Sequence, residues 1–182
     1  MSLAAGSKTD PHGSADSSGV LSLGGAHALL RRPLVHDAAG VAPAVTLTLL
    51  PGASCCVRIV ATGRWPSGER ADPSSAPMLP ALASAEWVIQ NVGGGGPEAL
   101  VALLVRSSST VGSQSSGLRW DSFARVHSDS GGGSKRAAAA AAAGALSVTL
   151  ELHASAGPGA QAGPTHIVGA FSVITIEGEF EL

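Results

Sequence analysis

A chain of 182 residues, 45% of them apolar, is long enough to bury one substantial core. Charged residues make up only 13%, about half the usual ~25%, and a net charge of −2 excludes a dedicated nucleic-acid binder held by a basic surface. No run approaches the ~20 apolar residues that cross a bilayer as a helix, so no membrane association is expected.

Residues 1–19 are rich in Ser, Gly and Asp with almost nothing to bury, and are read as a flexible N-terminal arm ahead of a single domain over 20–182. They carry acids and Ser where a signal peptide has a basic and then an apolar stretch, so no targeting segment is expected. Val20–Leu30 is a broken apolar run, predicted as a strand interrupted at Gly24 and Gly25 and closed by Arg31, Arg32 and Pro33. Val41–Leu50 alternates, with Val45, Leu47 and Leu49 opposed to Thr46 and Thr48. Pro51-Gly52 is a turn, and residues 55–61 form the next strand. Its neighbours Cys55 and Cys56 point to opposite faces and are read as free thiols.

Thr62–Ala83 is rich in proline and is predicted as a long surface loop. Residues 85–92 and 99–106 are strands joined by a Gly-rich tract; the second (ALVALLVR) is nearly continuous in apolar residues, as expected of a strand buried on both faces or against a neighbour. A polar loop leads to 118–127, and the seven alanines 137–143 are either two helical turns or a spacer. Two strands close the chain. In 146–153, Leu146, Val148, Leu150 and Leu152 face inward; in 167–182, Ile174, Ile176, Phe180 and Leu182 share one side, and Glu177, Glu179 and Glu181 share the other. Strands this apolar belong in the middle of a sheet, because an exposed edge of that kind invites aggregation.

Eight strand segments with no helical period outside the alanine run predict an all-β fold, an eight-stranded antiparallel jelly-roll β-sandwich. Motifs that carry chemistry are sparse. Gly52-Ala-Ser54-Cys-Cys56 lacks the last glycine of a nucleophile elbow, and the Gly tracts lack the Lys-Ser/Thr of a phosphate loop. The histidines at 12, 27, 36, 127, 153 and 166 have no metal-ligand spacing. Glu177, Glu179 and Glu181 form a solvated or interface face, and Trp65, Trp87 and Trp120 are core anchors and not a base-stacking platform. Neither an enzyme nor a cofactor or metal site is expected.

Residues 85–92 followed by 99–106, and LSVTLELHASAGPGA leading into FSVITIEGEFEL, resemble the coat proteins of small icosahedral RNA viruses, most of all the tymovirus group. The resemblance implies a jelly-roll capsid protein that self-assembles into an icosahedral shell, such as a T=3 virion, put together in the host cytoplasm. It implies partners that are copies of the same subunit, with single-stranded RNA packaged through weak contacts. Lys8, Arg31 and Arg32 are the cationic candidates to face the genome, with His27 and His36 able to titrate beside them. The alternatives are a non-viral β-sandwich subunit of a large complex and a ligand-binding sandwich module.

Overall fold

The computed structural model describes residues 20–22, 27–66, 78–94, 96–111, 118–127, 144–156 and 167–182. The N-terminal arm, Lys8 and the alanine run lie outside the described residues.

Two antiparallel sheets enclose one core, the β-sandwich expected from the alternating segments. The strands are β1 (Val20–Ser22), β2 (His27–Pro33), β3 (Val41–Leu49), β4 (Ser54–Pro66), β5 (Met78–Asn91), β6 (Leu100–Val111), β7 (Leu118–His127), β8 (Leu146–Ala156) and β9 (Val168–Gly178). Eight of them are full strands and β1 is a three-residue addition. The larger sheet runs β1-β2-β9-β4-β5-β6 and the smaller β3-β8-β7, so β2, β3 and β4 step from one sheet to the other and back.

Both closing strands are central: β9 lies between β2 and β4, and β8 lies between β3 and β7. Their inward residues Val148, Leu150, Ile174 and Ile176 are fully buried, each worth about 1.5–3 kcal/mol of transfer free energy. Around them the core fills with Val57, Ile59, Leu47 and Leu49 and with a run of alanines on β4 and β5. Small residues there make room for a large one. A Cβ on Gly63 would press on Ile167 and come within 3.2 Å of the Trp120 ring, which reaches over from β7.

Three expectations need correction. The stretch 62–83 is not a loop throughout, because β4 runs to Pro66 and β5 begins at Met78, paired in continuous register from Ser54↔Gln90 to Pro66↔Met78. Proline is tolerated at those ends, where the ladder asks least of its missing N–H. Next, β9 stops at Gly178 (φ 123), the left-handed region that favours glycine. The chain turns there and crosses to the smaller sheet, where Thr48 and Glu181 exchange both backbone hydrogen bonds at 2.9 Å. Glu177 and Glu181 therefore pair with different sheets, and Leu182, expected to face inward, is exposed. Finally, β6 is not buried on both faces: it is the last strand of its sheet, and Val101, Leu103 and Val105 are exposed.

Candidate functional site

The predicted genome-facing residues are dispersed by the strand that carries most of them. His27 opens β2, opposite Glu177, and His36 lies beyond its end at Pro33, so the length of the strand separates them, roughly 20 Å at ~3.3 Å per residue. Arg31 and Arg32 are consecutive and point to opposite faces. Arg31 lies on the exposed face of the larger sheet, its guanidinium 4.7 Å from the Phe171 ring centroid. Arg32 turns inward, and its Nε is buried without a hydrogen-bond partner among the described residues. His36 stacks on Trp120, ring centroids 5.7 Å apart and nearly parallel. Burial lowers the His36 pKa and the neighbouring Asp37 carboxylate partly opposes it. The neutral imidazole is thereby favoured, which suits a packing residue better than a phosphate contact.

The exposed face of the larger sheet carries mixed charge. Cys56, Arg58, Glu86, Thr175 and Glu177 line a shallow depression of about 150 Å³, with Arg58 3.7 Å from Glu86. Burial raises the Cys56 pKa, and the Glu86 and Glu177 carboxylates add to the shift while Arg58 offsets part of it. The thiol is held in its unreactive form. Cys55, on the opposite face as expected, is buried in the core and pushed up to about 11, with Cys56 contributing.

The outer face of the smaller sheet holds a polar ladder that alternation alone did not reveal. Ser147, Thr149 and Glu151 point away from the core, yet all three are buried by side chains of the flanking strands. Thr149 Oγ1 is 2.9 Å from both Thr46 Oγ1 and His127 Nε2, and Thr48 Oγ1 is 3.0 Å from Ser147 Oγ. Glu151 is held between Arg125 Nε at 3.2 Å and His153 Nε2 at 2.8 Å, and the His153 ring leans on Phe123. These bonds pin β7, β8 and β3 together. Among the described residues no group of three His, Cys, Asp or Glu side chains could hold a metal ion.

Among the described residues, the outer face of β6 carries an uncovered apolar row. Its outward residues Val101, Leu103 and Val105 are each more than half exposed, and Val88 across the ladder from Leu103 extends the row. Its inward residues Ala102 and Leu104 are only partly covered. An apolar strand of this kind normally lies inside a sheet.

A scan against protein-family models finds no match, and a search of curated proteins finds no match either. Among solved structures the chain is similar to the tailspike protein of Acinetobacter baumannii phage AM24, at 13% sequence identity and a TM-score of 0.38. That likeness covers 84% of this chain and 25% of the other, so the chain spans about a quarter of that protein's length.

Proposed function

We propose that this chain is a structural subunit whose function is to assemble with copies of itself, as the coat protein of a small icosahedral RNA virus. The observation that carries the reading is the exposed apolar row on β6, on a surface where charge is scarce. Burying such a row between subunits gains about 25 cal/mol per Å² of apolar area, with no charge among Val101, Leu103 and Val105 to desolvate. Repeated over a closed lattice, modest contacts become a stable shell.

The dispersal of Arg31, Arg32, His27 and His36 fits RNA held by weak, scattered contacts and not by one basic groove. In this reading the subunit is not an enzyme, and the virion is where it works.

Electron microscopy and sedimentation of the purified full-length chain test the proposal, with nuclease protection of any co-purifying RNA. Uniform closed shells are expected. A chain that stays monomeric at every concentration overturns the proposal. Small rings or defined oligomers support instead the non-viral subunit of a larger complex.

A further inference from the structure

We infer that the outer face of the larger sheet holds a groove for one nucleotide, at the place where the register between β4 and β9 breaks. This rests on the reading of a shell that encloses RNA and names one contact within it.

The groove is a product of that break. Thr62 stands opposite Phe171, but the pairing then shifts and Arg64 stands opposite Val168. A bulge of this kind bends the strand and re-aims its side chains. Gly169, inside the shifted segment, has φ 61, and a Cβ built there would meet nothing within 4 Å. The glycine its backbone requires thus also leaves space unfilled. Thr62, Gly63, Arg64, Pro80, Gly169 and Phe171 line a depression of about 400 Å³, inside the ~300–1,000 Å³ range of small-molecule sites.

Two kinds of group meet there, and together they identify the occupant. The first is charge. Arg64 is exposed in the lining, and Arg31 reaches over from β2 to set its guanidinium carbon 4.7 Å from the centroid of the Phe171 ring. Neither arginine has an ion-pair partner among the described residues. The acids described on this face, Glu86 and Glu177, gather instead around Arg58. Arg58 lies six residues along β4 from Arg64, roughly 20 Å away. The groove is therefore a cationic spot on a slightly acidic chain, and it calls for an anion.

The second is flat apolar surface. Phe171 presents a ring already stacked with one guanidinium, and Pro80 stands opposite Arg64 across the ladder. Aromatic rings and guanidinium planes are the surfaces on which unpaired bases lie. A bare phosphate would use the arginines and leave the ring idle, while an apolar ligand would leave both charges unpaired. A nucleotide uses both, with its phosphate between Arg31 and Arg64 and its base against Phe171. Stacking and charge read no sequence, so one such groove is a weak, non-selective hold on a single strand.

The test is fluorescence anisotropy of the full chain with a short labelled oligouridylate at low salt. Arg64→Ala is expected to weaken binding and to lower the slope of log affinity against log salt by about 0.7, the loss of one phosphate contact. Phe171→Leu is expected to weaken binding about tenfold with the slope unchanged, and Phe171→Tyr, which keeps the ring, to bind as wild type. Arg106→Ala removes an equal charge from β6, away from the groove, and stays within about twofold of wild type. Circular dichroism of each variant reports folding, and hydrogen exchange shows residues 62–64 and 168–171 gaining protection when the oligomer binds.

Adenosine monophosphate competing as well as the strand assigns the groove to free nucleotides, and competition by strands alone assigns it to RNA; either keeps the groove. Inorganic phosphate competing equally well overturns it, as does a loss in Arg106→Ala that matches Arg64→Ala while Phe171→Leu binds normally. No binding at low salt overturns it too. Shells that form and protect RNA equally in Arg64→Ala/Phe171→Leu sink the groove and leave the shell. Nucleotide binding at these residues by a chain that never assembles keeps the groove and sinks the shell.

Discussion

Trp87 on β5 donates its indole N–H to Ser122 Oγ on β7 across 2.9 Å, a buried side-chain hydrogen bond that joins the two sheets through the core. Most of the packing around it is apolar, and a second buried bond, from Asn91 Nδ2 to Leu49 O, also crosses between the sheets. The Trp87–Ser122 bond fixes one distance between them, because an indole N–H left unpaired in that position is costly.

Ser122→Ala removes the acceptor and leaves the indole N–H buried and unsatisfied, so a loss of about 1–3 kcal/mol is expected in urea unfolding. Trp87→Phe/Ser122→Ala should cost less than the sum of the two single changes, because removing both polar groups leaves no orphan. Strict additivity would show that the two side chains are not coupled.

Asn91 is fully buried at the end of β5, and its side chain serves three chain segments. Nδ2 donates to Leu49 O at 2.9 Å and Gly144 O at 3.1 Å, while Oδ1 accepts from Gly93 N–H at 3.0 Å. Asn91→Leu supplies comparable bulk but orphans two carbonyls and one amide, with an expected cost of about 3 kcal/mol or more. Thermal melts of the variant check it; a melting temperature equal to wild type would show that water replaces the clamp.

His36 sets an acid-side dependence. Its pKa is lowered in the folded state, mainly by burial against Trp120, so between the ordinary histidine value of 6.5 and the lower folded value the unfolded chain binds more protons. Its contribution is present above pH 6.5 and is lost as pH falls through that window. His36→Phe keeps a ring on Trp120 and should flatten the stability profile there. An unchanged slope between pH 6.5 and 5 in the variant would refute the assignment.

Cys55 sets the alkaline side. Its thiol is pushed from 9.0 to about 11, chiefly by burial, so the folded state holds its proton while the unfolded chain releases it. Stability from this group is complete below pH 9 and is lost as pH rises through about 11, a fall of about 2–3 kcal/mol across the window. Cys55→Ala should remove that part of the slope at the price of a small cavity. The measurement is denaturant unfolding at pH 8.5 and 10.5, and equal slopes in the two proteins would contradict it.

The legible parts of the fold were those where one strand face is buried and the other is wet. The boundaries of β7 matched at both ends, and those of β3 to one residue, because period-two alternation is a direct image of half-burial. The 62–83 segment reads as a loop in sequence because prolines near strand ends share the composition of loops. The polar ladder on β8 was invisible for a different reason: Ser147, Thr149 and Glu151 have the sequence of a solvated face, and their burial comes from neighbours brought in by pairing.

What the residues determined by themselves is the all-β class, the inward set of the two closing strands and the opposed pair Cys55 and Cys56, since each follows from the alternation of side chains along an extended chain. What only the tertiary structure decided is which strand is left at an edge and how β2 scatters its basic groups. Pairing order and register are long-range choices, set by which faces bury most together, and no local pattern records them.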